Sequence, residues 1–329
     1  MHRRACFYGA WASYRNRSPG LGPDATKAKY APYIAAMTSQ IDQALAFTLP
    51  DRHARGRLVR LGPALDQILA AHGYPPAIER VLAEALVLTG LLGSTLKDEA
   101  GQLTIQAQTQ NGVIDLLVCD YRGGEMRGYL RHDAKLAAAI GEHPILADLF
   151  GTGYLAITFD QVATGERYQG IVPLEGASLA EAAQSYFAQS EQIPSLVRIG
   201  FDPVSRVAGG LMLQHLPEGE EGRERLHTRL DHPEWEHVAA LGGTIQAGEL
   251  TDPALPFENL LWRLFNEDIV HVQPTVALNR GCRCDPDHVR TVIDRFPTED
   301  RAAMADADGL VHVDCEFCAR RFSIALAAA

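Results

Sequence analysis

Leu103–Leu130, LTIQAQTQNGVIDLLVCDYRGGEMRGYL, holds three runs in which apolar and polar residues alternate: Leu103–Thr109, Gly112–Asp120 and Glu125–Leu130. Alternation of period two marks strands with one buried face. Gly123-Gly124, between the last two runs, reads as a tight hairpin turn. Similar runs follow at Leu155–Asp160 and Tyr168–Pro173. Upstream, Tyr74-Pro75-Pro76 introduces a helical stretch, Ala77–Leu96, whose apolar surface (Ile78, Val81, Leu82, Ala85, Leu86) is wide enough for a buried core helix. Downstream, Ser178 with Glu181 three residues on forms a capping box that opens a helix running to about Glu191. Consecutive strands on short turns, with helices before and after, predict an α+β domain rather than a doubly wound sheet.

The whole chain has 329 residues, 47% hydrophobic and 22% charged, which excludes global disorder. Its formal charge of -11 disfavours a nucleic-acid-coating role, which needs positive potential. No window approaches the roughly 18 apolar residues of a membrane helix, so neither nucleic acid nor membrane is an expected partner. Residues 1–36 differ from the rest, with six bases against one acid, leaving the remainder at -16. They lack the apolar stretch of a secretory signal. Their composition fits a disordered extension, a transit peptide or an over-long start, Met37 opening a more regular segment; the expected compartment is the cytoplasm.

Past Pro217 the composition shifts. Glu218–Glu236 carries seven acids and three arginines and reads as solvated and weakly packed. Pro256–Asn266 then gives a compact amphipathic helix, with Phe257, Leu260, Leu261, Leu264 and Phe265 on one side. Short helices are marginal alone in water, so these must dock on something. The expected organisation is an extension (1–36), an α+β core (37–217), a metastable helical linker (218–274) and a small C-terminal domain (275–329).

Four of the six cysteines fall in the last 48 residues, as Cys282-Arg283-Cys284 and, after a spacer of 30 residues, Cys315-Glu316-Phe317-Cys318. Two tight pairs on a spacer are what a four-thiolate zinc site requires, each pair supplying two corners of a tetrahedron. The alternatives are four buried structural cysteines or a metal-free redox dithiol. The segment from about Thr275 has few large apolar residues and depends on a staple, which zinc supplies. Zinc also keeps the sulfurs as thiolates, the form that oxidants attack. Cys282 and Cys284 are near enough to bond to each other, as are Cys315 and Cys318. A closed four-sulfur site leaves no position for substrate, which argues against catalysis by the metal. From Cys282 onward six arginines face nine acids, the wrong balance for a zinc ribbon on nucleic acid.

These residues resemble the redox-regulated 33-kilodalton heat-shock chaperones, zinc-dependent holdases. The cysteine arrangement is the most specific part. Similar as well are Gly112–Asp120 with Met126-Arg127-Gly128-Tyr129, Tyr168-Gln169-Gly170-Ile171-Val172, and Tyr186-Phe187 with Ser190-Glu191-Gln192-Ile193-Pro194. Gly209-Gly210-Leu211-Met212-Leu213-Gln214 and Leu260-Leu261-Trp262-Arg263-Leu264-Phe265 complete the match, which runs from about Arg55; residues 1–36 have no counterpart. The resemblance implies one zinc per chain in a weakly active, reduced monomer, held by Cys282, Cys284, Cys315 and Cys318. It further implies that oxidation forms disulfides Cys282–Cys284 and Cys315–Cys318, releases zinc and unfolds the C-terminal domain and linker. The activated form dimerises and binds unfolding client proteins without ATP. The implied protein is not an enzyme, and no phosphate-binding loop, nucleophile elbow or zinc-protease helix is present.

A zinc-ribbon binding module and an enzyme built on the N-terminal domain are the competing classes. Cys119, within a strand pattern, reads as a packing residue, and Cys6 falls in the extension. His227, His232 and His237 recur every five residues, which matches no ligand pattern and reads as solvated side chains. Ser190-Glu191-Gln192 reads as a helix end before Ile193-Pro194. The surface that holds clients is open between the apolar side of Pro256–Asn266 and the sheet faces.

Overall fold

The computed structural model describes residues 41–141, 144–216 and 232–326. The extension 1–36 with Cys6, His227 and the acidic stretch as far as Asp231 lie outside the described residues. In chain order come β1 (Gln43–Leu49), β2 (Ala54–Leu61), α1 (Pro63–Leu69), α2 (Pro76–Gly93), β3 (Gln102–Gln110), β4 (Ile114–Arg122) and β5 (Glu125–His132). Then follow α3 (Ala134–Ala139), α4 (Leu146–Phe150), β6 (Thr152–Gln161), β7 (Glu166–Pro173), α5 (Leu179–Tyr186), β8 (Ser195–Asp202) and β9 (Val207–His215). The remainder is α6 (Pro233–Gly243), α7 (Ala247–Thr251), α8 (Phe257–Phe265), β10 (His271–Val272), β11 (Val276–Ala277), β12 (Asn279–Arg280), α9 (Pro286–Ile293), α10 (Thr298–Met304), β13 (Leu310–Asp314) and β14 (Arg321–Ala325). The fold is α+β, as the strand runs predict. The chain forms two compact units: residues through Gly62 with Ala183–Ala277, and Pro63–Ala182 with the residues from Leu278.

The first unit is built on an antiparallel sheet in the order β10-β1-β2-β9-β8, with β11 also pairing β1. Helices α6, α7 and α8 cover it. Trp235, Val238, Leu250, Leu255, Phe257, Leu260, Leu261, Leu264 and Phe265 share one core with Leu45, Phe47, Leu49, Leu58, Leu211 and Leu213 of the strands. The spacing in α8 puts its apolar residues on one side, while Trp262 remains 64% exposed. So the short helices do dock. Trp235 corrects the reading of Glu218–Glu236 as weakly packed: within its described end, this residue is buried in α6.

Arg60 of β2 fastens the same layer. Its side chain is fully buried and donates to the carbonyls of Leu250 (2.9 Å), Leu255 (2.9 Å) and Glu249 (3.2 Å). Its guanidinium lies 4.8 Å from the centroid of the Phe257 ring, and burial lowers its pKa to about 10. At the β1–β2 turn, Arg52 pairs with Glu234 and with the buried carboxylate of Asp268, to which His237 Nε2 also bonds at 3.2 Å. His232 caps α6 through Nδ1. Both histidines therefore have structural partners, which corrects their reading as solvated side chains.

The second unit contains a sheet in the order β12-β5-β4-β3-β6-β7, antiparallel except for the short parallel pair β12–β5. Gly123 and Gly124 close the β4–β5 hairpin with φ of 54° and 84°, a combination that glycine adopts without strain. Helix α2 lies on one sheet face, above buried Ile105, Leu117, Cys119 and Ile157. Gly128 permits that approach, since a Cβ there would stand 2.8 Å from Cys119 Sγ and 3.0 Å from Leu86 Cδ2. Cys119 is fully buried and desolvation pushes its pKa up, so it is a packing thiol.

The helix start at Ser178 is only partly the expected box. Ser178 Oγ accepts the Glu181 N–H at 3.2 Å, but the Glu181 carboxylate reaches back one residue further, to the Ala177 N–H at 2.8 Å. Glu84 of α2 accepts the next N–H, that of Ala180, at 2.9 Å. Burial raises the Glu84 pKa to about 7 against the backbone N–H groups of Ala180 and Leu179, and nearby Glu181 adds to the rise. After α5 the chain widens into a π-turn, Phe187–Glu191, and Gln192 stops it with φ 54°. Glu191 accepts the Tyr186 hydroxyl proton at 2.8 Å, which gives Ser190-Glu191-Gln192 the structural role expected of a helix end.

Candidate metal centre

Two local devices deliver the cysteine pairs. The first follows β12, which hydrogen-bonds along β5 through Asn279 N–H to Gly124 O (2.9 Å) and Gly281 N–H to Met126 O (2.8 Å). Gly281 passes so close to β5 that a Cβ would lie 2.6 Å from that of Glu125. Immediately beyond Cys284, Asp285 caps α9 by accepting the Asp287 N–H at 3.0 Å. The second pair forms the turn between β13 and β14. Ala319 N–H donates to Cys315 O (2.8 Å), and Cys315 N–H donates to Arg320 O (2.9 Å). Ala319 takes a left-handed φ of 53° to complete the knuckle. Arg321 clamps the base of the hairpin on Asp314 with two bonds of 2.8 and 2.9 Å.

The four Sγ atoms lie within 4.8 Å of one another. Cys282 and Cys284 are separated by 3.3 Å, Cys282 and Cys315 by 3.6 Å, and Cys284 and Cys318 by 3.5 Å. Sulfurs at about 2.3 Å from a tetrahedral ion stand roughly 3.8 Å apart, so the cluster fits a metal with little adjustment. Among the described residues it is the one such group of histidine, cysteine or carboxylate side chains. His232 and His237 are not part of another.

Their surroundings act differently on three of the thiols. Burial raises Cys284, and hydrogen bonding with Cys282 and Cys318 adds to it. Burial likewise raises Cys315, against the N–H groups of Phe317 and Cys318. At Cys318 desolvation is outweighed by the Arg320 N–H and by the three other thiols, leaving its pKa at about 7. Thiolate is both the metal ligand and the nucleophile toward an oxidant.

The apolar support is small. Ile293, Val311, Phe322 and Ile324 are the buried residues of this lobe's core, with Cys284 and Cys315 packed at its edge. Val292 and Phe296 are 40% and 42% exposed and add little to it.

Sequence reasoning missed how the cysteines are seated. Phe317, inside the second pair, stacks on the face of β5 and β4 opposite α2. The Arg127 guanidinium lies 3.9 Å from its ring centroid, and Tyr129 meets it edge-on at 4.9 Å and 82°. Arg283, inside the first pair, donates to Gln102 Oε1 at 2.9 Å and approaches Asp120 at 3.8 Å. Asp120 is buried and also holds Arg127 (2.7 Å) and Thr104 (2.8 Å). Each cysteine pair therefore carries one intervening residue that anchors it to the same sheet face. No spacing rule reveals a contact between residues so far apart in the chain.

Comparison with known proteins agrees with this geometry. The family model described as Hsp33 protein matches residues 42–325, starting earlier than the resemblance from Arg55. The 33 kDa chaperonin of Caulobacter vibrioides is 39% identical over 302 residues, covering 88% of this chain and 97% of the relative. That of Yersinia pestis is 34% identical over 286 residues, covering 86% and 92%. Among solved structures, the 33 kDa chaperonin (heat shock protein 33 homologue) of Thermotoga maritima shares the fold. Its TM-score is 0.70 at 23% identity, over 86% of this chain and 95% of that one. A match that takes in both sheets and all four clustered cysteines places this chain in the Hsp33 family of chaperones.

Proposed function

We propose that this protein is an ATP-independent holdase switched on by oxidation of a zinc-bound four-cysteine centre. The observation that carries the reading is the tetrahedral-sized cluster of Cys282, Cys284, Cys315 and Cys318 beside a core of four buried apolar residues. All-sulfur, closed coordination suits zinc, which when bound keeps the sulfurs as thiolates and staples the lobe. Cys282 pairs with Cys284 and Cys315 with Cys318. In each pair two thiolates give two electrons to peroxide, which takes two protons and leaves as two waters while the S–S bond forms. The lobe (275–329) then has neither metal nor sufficient core, and it unfolds. The linker (218–274) loosens in turn, the reduced monomer becomes a dimer, and apolar surface takes up unfolding client proteins. The protein works in the cytoplasm and catalyses no reaction.

The test treats full-length protein with peroxide at elevated temperature, then adds a thermally aggregating client. Zinc is expected to leave at one equivalent per chain and aggregation to be suppressed. Cys315→Ser is expected to lose tight zinc binding. Oxidised protein that retains zinc and leaves aggregation unchanged would sink the reading.

A further inference from the structure

Phe317 occupies a receptor that belongs wholly to the sheet. Arg127 and Tyr129 are two apart on β5 and face the same side. Arg127 is fixed by its 2.7 Å pair with buried Asp120, which Thr104 holds from β3. The lobe adds only Arg283, which approaches Asp120 at 3.8 Å, so its departure leaves Arg127 paired with Asp120 and the receptor open. A guanidinium above one ring face and a tyrosine edge beside it favour an aromatic side chain through its π quadrupole.

The receptor continues into a row without charge. Register pairs Tyr129 with Val118, Val118 with Gln106, Gln106 with Ala156, and Ala156 with Ile171 across β5, β4, β3, β6 and β7. The far end, Ile171, is 55% exposed, whereas the small Ala156 beside it is buried. Five strands span roughly 19 Å, the length of about six extended residues.

We propose that Arg127 and Tyr129 form a client subsite, filled by Phe317 in the closed chain and by an aromatic side chain of an unfolded client after oxidation. The adjoining row carries the client's extended, uncharged backbone towards Ile171. This inference rests on the oxidation-switched holdase reading, and names one place where that holdase grips.

The experiment uses oxidised, heat-activated full-length protein and two labelled unstructured peptides, identical except for Phe or Leu at one position. Wild type is expected to bind the Phe peptide about fivefold tighter, the size of a partly desolvated cation–π contact. Arg127→Met should bring the ratio near one, and Arg127→Lys should keep part of it. Because Arg127→Met leaves Asp120 without this partner, the double variant Asp120→Asn with Arg127→Met guards against misfolding and should give the same loss. An unchanged Phe-to-Leu ratio in folded Arg127 variants overturns the subsite. So does a change confined to self-association, which would assign the receptor to a second copy. Oxidised wild type that binds neither peptide and holds no client overturns the holdase reading, and the subsite falls with it.

Discussion

Helices α6–α8 and the cysteine lobe follow one another in the chain and are secured by different means. The helices contribute Trp235, Phe257, Leu261 and Phe265, among others, to a core of seventeen buried residues, with Arg60 bonded into their backbone. The lobe's core cluster has four buried apolar residues, beside the four sulfurs. Burial of a large apolar side chain contributes roughly 1.5–3 kcal/mol, and structural zinc an apparent 10–16 kcal/mol. The helices are thus held by many small contributions, while the lobe's small core leaves room for one large contribution from a metal. Under the proposed function, the lobe answers to oxidant and the helices to temperature.

The largest effect should follow metal removal. A chelator under reducing conditions is expected to make the lobe protease-sensitive, while Trp235, the buried tryptophan among the described residues, keeps its blue-shifted emission at low temperature. If chelation alone reddens Trp235, the two regions are not separately held and the comparison breaks. A smaller effect is expected of Phe257→Ala, which empties a buried site beneath Arg60 and costs about 3–5 kcal/mol. It should lower the temperature at which the oxidised protein suppresses aggregation without altering zinc content. A loss of zinc in this variant would show that the linker supports the lobe directly.

The smallest effect concerns a group outside both regions. Glu84 has its folded pKa raised to about 7 by burial. Its contribution to stability is fully present below the unfolded value near 4.5 and is lost as pH rises through about 7. Glu84→Gln should flatten denaturation stability between pH 5 and 8 while leaving zinc content and the activation temperature where they were. Persistence of the wild-type slope in this variant would reject the assignment.

The strands of the second unit and the cysteine pairs were legible because their signals are local. The alternation of Leu103–Thr109 covers most of β3, and Gly123-Gly124 sits where the hairpin turns. The first unit was less legible. β9 is buried along its whole length, so Val207–His215 shows no alternation, and its paired glycines dilute any strand preference. β2, ARGRLVRL, looks like a solvated segment because Arg60 is charged, although its guanidinium donates to three carbonyls of α7 and beyond. Phe317 and Arg283 were hidden for the related reason that their partners are set by tertiary packing. What reads from sequence is the chemistry of the cysteines; what does not is how that chemistry is fastened to the sheet.

The discontinuous first unit has a consequence during synthesis. β1 and β2 leave the ribosome about 200 residues before α8, which supplies the apolar cover for Phe47 and Leu49. At roughly 5–20 residues per second, that interval is on the order of ten to forty seconds. Throughout it the nascent strands expose the kind of surface on which aggregation begins. The first unit is therefore completed only after most of the chain has been made.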